Sequence, residues 1–424
     1  MRTTLITSKY KQTEIGIIPE DWCVEKMNTV ADVRDGTHDS PKYVKRGVKF
    51  VTSKNIVNNK LDLSEISYIS DSDAYEVNKR SKVDKGDILM SMIGTIGSAT
   101  LINFEPDFCI KNVALIKPYP KRIKSDFLIQ LILSPSYQRY INYKLEGGIQ
   151  KFISLGVLRD LDVILPADEY EQTAIFTSLS DIDHLIEKLN KLIEKKKSVK
   201  LGAMQELLTG KQRLPGFSGQ WMQKPLTEVS WFQEGPGVRT SQFTERGIKL
   251  LNGTNIYRGK MLLENTNRFI SESEAFGPYS HFLVDVGDIV IASSGITIDK
   301  FEEKIAFIKK EHLPLCMNTS TIRFKVKDSL VPRFLYYFLM SKKFKGQIGA
   351  QATGSAQLNF GPSHLDKVEI SLPKDKSEQD AIAGVLSDMD AEIEKLESQL
   401  SKYQNIKQGM MQTLLTGKIR LISK

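Results

Sequence analysis

Apolar residues recur through two stretches of the chain at alternating steps of four and three. Ile175, Leu179, Ile182, Ile186, Leu189 and Ile193 form one seam, and Ile382, Leu386, Met389, Ile393, Leu396, Leu400 and Tyr403 form the other. This spacing predicts two long helices, each with one narrow apolar stripe of the kind that packs on a second helix. Pro166 and Pro373 precede the stretches, and Gly210 and Gly417 stand where a C-cap would end them. At 1.5 Å per residue, about 40 residues span on the order of 60 Å. A core helix within each domain would show the same stripe. Its length favours the two helices packing on each other as an antiparallel pair.

The two stretches are copies. Glu171–Leu214 overlays Glu378–Leu421 at a constant offset of 207, with roughly half the positions identical. Both begin Glu-Gln-x-Ala-Ile, continue through Leu-Ser-Asp-x-Asp and Ile-Glu-Lys-Leu, and close on Leu-Leu-Thr-Gly-Lys-x-Arg-Leu. Upstream the likeness thins. Asn55-Ile56 parallels Asn255-Ile256, Gly86-Asp87-Ile88 parallels Gly287-Asp288-Ile289, and Asn112 parallels Asn318. Helical segments that stay alike while globular ones diverge imply one job done twice by the helices, and different jobs of one kind done by the globular parts.

Those globular parts read as mixed strand and helix. Val48–Val51, Asp87–Ile93, Leu161–Pro166, Asp288–Ala292, Thr321–Val326 and Val368–Pro373 carry strand patterns, and Ser125–Tyr143 and Val331–Ile348 carry helical ones. The fold class is therefore mixed α/β: two globular domains and two long antiparallel coiled-coil helices in a pseudo-two-fold repeat. The expected division is 1–168, first globular domain; 169–214, central helical spacer; 215–375, second globular domain; and 376–424, distal helical spacer.

Composition adds a partner class. The formal net charge of +8 favours a polyanion, because phosphate neutralisation releases counterions, although many basic proteins bind no nucleic acid. Lys195, Lys196, Lys197 and Lys200 read as a solvated helix face rather than a DNA contact. Cys23, Cys109 and Cys316 are odd in number and far apart, which fits free thiols in a reducing compartment. The N-terminus has no apolar signal region, and no stretch approaches about 18 uninterrupted apolar residues. A cytoplasmic chain without membrane association is expected.

Catalytic signatures are missing from the sequence. Lys211 and Lys418 follow Thr-Gly without the upstream glycine or the following hydroxyl of a phosphate-binding loop, and the five histidines show no metal-ligand spacing. An enzyme would need a catalytic constellation. A coiled-coil adaptor that binds only proteins would lack sequence-selective DNA affinity.

Globular domain, Leu-Pro, Glu-Gln-x-Ala-Ile helix and Leu-Leu-Thr-Gly-Lys, repeated once over essentially the whole chain, resembles the specificity (S) subunit of type I restriction-modification systems. Gly-x-x-Gln at Gly147–Gln150 and Gly354–Gln357 fits the same family. The resemblance implies two target recognition domains, each reading half of a bipartite, asymmetric site on double-stranded DNA. It implies helices that dock two methyltransferase subunits, with endonuclease/translocase subunits joining them. The chain itself would hold no cofactor and no metal; S-adenosylmethionine, ATP and Mg would sit on partner subunits. Half-sites about one helical turn (~34 Å) apart are expected.

Polar, basic and glycine-rich loops supply the candidate DNA contacts, since these side chains are the ones that meet phosphates and base edges. In the first domain they are Thr37, His38, Lys42, Tyr43, Ser53, Lys54, Asn55, Gln150 and Lys151. In the second they are Arg239, Thr240, Asn252, Thr254, Asn255, Ser293, Ser294 and Gln357.

Overall fold

A computed structural model describes residues 9–38, 41–145, 151–349 and 358–421, with backbone alone at 265, 298 and 299. The chain divides into two compact units, residues 1–191 with 398–424, and residues 192–397.

The predicted helices are continuous, Glu169–Leu207 and Lys376–Leu414, 39 residues each. Asp168 and Asp375 cap their first turns, accepting from Tyr170 N at 2.8 Å and Ser377 N at 2.9 Å. Their ends are closed as expected: Gly210 and Gly417 adopt φ of +71° and +67°, which frees the following amides to return to the last turn. A Cβ on Gly417 would stand 2.4 Å from Pro19 Cγ, so that site needs glycine for space as well as for its backbone.

The apolar seam performs both tasks considered for it. Ile175 and Leu179 enter the core of the first unit, where Met411, Leu414 and Leu415 of the distal helix join them. In the second unit Ile382, Ala383 and Leu386 meet Met204, Leu207 and Leu208 of the central helix. Each unit thus holds the start of one long helix packed against the end of the other, antiparallel. Lys200 pairs with Asp390 in the second unit and Lys407 with Asp183 in the first. Gln130 and Tyr337 bond the same two aspartates from the globular side. The second aspartate of Leu-Ser-Asp-x-Asp therefore ties helix to helix and helix to domain. The lysine run is not simply a solvated face: Lys196, Lys197 and Lys200 pair with Glu392, Glu397 and Asp390.

Within each unit the globular part repeats one topology. The first has a four-stranded antiparallel sheet in the order Ala99–Leu101, Ile88–Ser91, Val113–Pro118, Ala31–Asp35. The second has Ile305–Phe307, Ile289–Ala292, Thr321–Val326, Ser230–Glu234. Beside each lies a three-stranded sheet centred on Val48–Val51 or Ile248–Leu251. The helix expected over Ser125–Tyr143 is two, Ser125–Leu133 and Pro135–Tyr143. Pro135 has no N–H to continue the ladder, and Ser134 caps the new helix by accepting from Tyr137 N. The second copy breaks likewise, into Pro332–Met340 and Lys342–Gly349, with Ser341 accepting from Phe344 N. Among the described residues no helix is long and apolar enough to cross a membrane.

Candidate nucleic-acid interface

The strands decide where the loops go. In the second unit Ala292 pairs with Thr321 and Glu234 with Ile322, so three strand ends finish at one edge of the sheet. Backbone bonds then stitch the emerging loops together. Gly235 N donates to Thr321 O (3.0 Å), Asn318 N to Leu251 O (3.0 Å), Ser293 N to Ser320 O (2.9 Å) and Phe360 N to Ser293 O (3.0 Å). Between them lies a polar cleft of about 460 Å³, whose walls include Asn252, Thr254, Asn255, Arg268, Ser294 and Lys304. Four of these six are sequence-predicted contacts.

The first unit builds the same arrangement. Thr37 N donates to Ile110 O (3.2 Å), Lys111 N to Val51 O (2.9 Å) and Ile153 N to Met92 O (3.1 Å). The loops carrying Thr37 and His38, Ser53 to Asn55, and Lys151 therefore share one end of that sheet, beside the turn after Ser91.

The predicted residues differ in what they offer. Lys54, Thr254, Ser294 and Lys151 are exposed, and Ser53 and Asn252 are half-buried. Asn55 and Asn255 are 7% and 4% exposed and spend their amides on their own loops. Asn55 Oδ1 accepts from Thr52 N (2.9 Å) while its Nδ2 donates to Asp62 O and Glu65 O; Asn255 does the same with Asn252 N and Leu262 O. Ser293, 1% exposed, is a backbone junction. Lys42 and Tyr43 are exposed beside the three-stranded sheet, and Arg239 and Thr240 are exposed in a turn held by Gln242 on Glu274; among the described residues no hydrogen bond ties these four to the second unit's cleft or to the matching loops of the first. Gln150 and Gln357 lie outside the described residues.

His38 is held on both ring nitrogens, Nδ1 to Asn112 Oδ1 (2.8 Å) and Nε2 to Asp35 Oδ2 (2.7 Å). The acceptors Asn112 and then Asp35 favour the imidazolium and raise its pKa above the ordinary 6.5; Arg80, on the other Asp35 oxygen, works the opposite way. A raised folded value means the contact contributes fully below about pH 6.5 and is lost as pH rises through the folded pKa. Nuclear magnetic resonance titration of the His38 ring is expected to give a midpoint above 6.5, falling toward 6.5 in Asn112→Ala.

Sequence reading passed over two cations of the second cleft. Arg268 is exposed, its guanidinium over the Phe243 ring at 5.6 Å. Lys304 donates to Ile256 O (2.8 Å) and Gly253 O (3.4 Å) from below the loop, and burial pushes its pKa down. Neither stands in a shared motif, and only the fold brings them to Thr254. Asn112 and Asn318 had a signal, their identity between the copies. Each cross-links neighbouring loops, Asn318 by donating to Asn252 Oδ1 (2.9 Å).

No group of His, Cys, Asp or Glu among the described residues converges as metal ligands would. Comparison with known proteins then decides the class. Residues 19–195 and 219–402 both match the type I restriction modification DNA specificity domain. The chain belongs to that family. It is similar to the type I restriction enzyme MjaVIII specificity subunit of Methanocaldococcus jannaschii, 27% identical over 418 residues, covering 95% of this chain and 94% of that one. A MjaX specificity subunit of the same organism is 26% identical over 436 residues, 97% of each. Among solved structures, the type I restriction-modification S subunit of M. genitalium shares the fold at a TM-score of 0.56 and 16% identity, over 95% of this chain and 97% of that one. A chain from a study of type I complex assembly shares it at 0.59 and 15%, over 95% and 99%. As a type I specificity subunit the chain directs DNA recognition within its enzyme and is not itself catalytic. The family carries no cofactor on this subunit.

Proposed function

We propose that each globular domain reads one half of a bipartite, asymmetric DNA site through the loops gathered at one end of its four-stranded sheet. The single observation that carries this reading is that convergence, made twice from segments far apart in the chain and rich in hydroxyl, amide and basic side chains. Such groups suit phosphate and base-edge contact. Unlike loops in the two domains, Lys54 against Thr254 and His38 against Gly237, imply unlike half-sites. In this reading the contact set is the predicted one, with Asn55, Asn255 and Ser293 shaping loops that the exposed members use.

Residues 1–168 and 215–375 act as the recognition domains, and 169–214 and 376–424 as spacers that dock two methyltransferase subunits. Endonuclease/translocase subunits complete the assembly on double-stranded DNA in the cytoplasm, and adenine is the methylated base. The related chain's name as the specificity subunit of a type I restriction enzyme, and the lack of a catalytic constellation in the sequence, support this assignment.

Gln150→Ala and Gln357→Ala, each in the assembled methyltransferase complex, test the loop assignment. Each is expected to lower methylation of the cognate site on the order of 10-fold, the worth of one lost base or phosphate contact. Unchanged methylation in both variants would remove these loops from the interface.

A further inference from the structure

Asp35-Gly36 and Glu234-Gly235 close equivalent strands, Ala31–Asp35 and Ser230–Glu234, at the loop-bearing end of their sheets. The two carboxylates have opposite fates. Asp35 is buried and fully engaged, one oxygen with His38 Nε2 at 2.7 Å and the other with the Arg80 guanidinium. Glu234 is half-buried, and among the described residues it accepts no hydrogen bond and forms no ion pair. Only loss of solvent acts on it, raising its pKa. Its Oε2 is 3.7 Å from where a Cβ on Gly361 would stand, and among the described residues, the chain neighbours of Gly361 aside, no other atom comes within 4 Å of that point.

A carboxylate at this place is repelled by phosphate. What a duplex can offer it is a hydrogen-bond donor, and in the major groove the donors are the exocyclic amino groups, cytosine N4 and adenine N6. A half-desolvated acceptor gains from such a donor while it loses little further hydration, since part of that cost is already met in the free protein. From the location and the missing partner, we infer that Glu234 is a specificity-determining residue of the second domain, accepting a hydrogen bond from a base amino group of the second half-site. Cytosine is the favoured base, because glutamate pairs with N4 as a pure acceptor, whereas the adenine edge places an acceptor, N7, beside its amino group. The first domain has no counterpart, since Asp35 is spent on His38 and Arg80.

The inference rests on the proposed two-domain reading, and its test separates the two. The complex containing the full chain is assembled with wild-type or Glu234→Gln protein, and methylated sites are mapped on random-sequence duplexes. The variant is expected to lose discrimination on the order of 10- to 100-fold at one position of one half-site, admitting adenine there, since glutamine pairs bidentately with N6 and N7. The other half-site should be unchanged. If the wild-type motif is bipartite and Glu234→Gln leaves every position as it was, Glu234 reads no base and the two-domain reading stands. A wild-type motif that is not bipartite removes the reading itself.

A second arm leaves the protein untouched and so covers a variant that fails to assemble. Wild-type complex is titrated with cognate duplexes in which each cytosine, and each adenine other than the methylated one, of the second half-site is replaced, one at a time, by the analogue lacking its amino group. Loss on the order of 10- to 100-fold is expected at a single position, a cytosine under the assignment made here; an adenine would keep the amino contact and correct the base. No loss at any position overturns the inference.

Discussion

Replacing Arg420 with alanine is expected to destabilise the chain by about 3–5 kcal/mol, the cost of stripping the cation from a buried ion pair. Glu171 opens the first long helix with 0% of its surface exposed. Arg420 grips both its oxygens, Nε to Oε1 at 2.7 Å and Nη2 to Oε2 at 2.9 Å, and reaches Asp21 with the remaining donors. Trp22 Nε1 (3.2 Å) and Leu421 N (3.3 Å) add two neutral donors. Without Arg420 these two remain, but a buried carboxylate keeps no charge partner. The second unit repeats the device, with Arg213 Nε and Nη2 on Glu378 at 2.6 and 2.7 Å and Trp221 Nε1 at 3.4 Å. Gln220 precedes Trp221 where Asp21 precedes Trp22, and among the described residues Arg213 meets no second carboxylate, so Arg213→Ala should cost somewhat less. Denaturant unfolding followed through tryptophan fluorescence measures both, since Trp22 and Trp221 sit in the two clamps. Removing both charges of one clamp together (Glu171→Gln with Arg420→Met) should cost far less than Arg420→Ala alone; an equal loss would show that the ion pair is not the source.

The second large effect concerns binding. Thr254→Glu should leave folding unchanged and lower affinity of the assembled complex for its cognate site on the order of 10- to 100-fold. Thr254 is exposed on the cleft wall it shares with Arg268, Ser294 and Lys304, so a glutamate fits without disturbing the core. On bound DNA it would stand among phosphates and also offset the positive field of the two cations. Lys54→Glu, at the matching place in the first domain, should do the same through the other half-site. Fluorescence anisotropy with labelled duplex measures both, and the deficit should shrink as salt rises and screens the added charge. A full-strength complex in both variants would place the DNA elsewhere.

Local pattern made the long helices legible, because a seam of Ile and Leu at four-three spacing has few other uses, and duplication made it visible twice. The strands followed from short apolar runs. The break at Ser134 was hidden inside a helical pattern that continues past Pro135, although a proline after a capping serine was its signal. Ion pairing was not legible. Arg420 and Glu171 are 249 residues apart, and nothing local to either predicts the other. In hindsight the shared Glu-Gln and the shared arginine after Thr-Gly-Lys were the clue, since both copies retain both halves of the clamp. The glutamines of that motif are just as structural: Gln172 accepts from Lys124 N and donates to Pro166 O, and Gln379 does the same with Val331 N and Pro373 O.

Composition picked out the candidate loops but could not rank their members. Asn55 and Lys54 are neighbours of similar promise in the sequence, yet one is turned inward to hold its loop and the other outward. Which way each points depends on the carbonyls of residues 62 and 65, which only the folded loop brings near. Arg268 and Lys304 were missed for the complementary reason. They come from segments without motif and meet Thr254 through the sheet.

The central claim is that two unlike loop clusters, one per domain, read one site in two parts. Sequencing that detects modified bases, applied to DNA methylated by the complex containing this chain, tests it most directly. The expected result is a single motif of two different short half-sites separated by unspecified bases. A palindromic motif, or one uninterrupted block of specified bases, would contradict it.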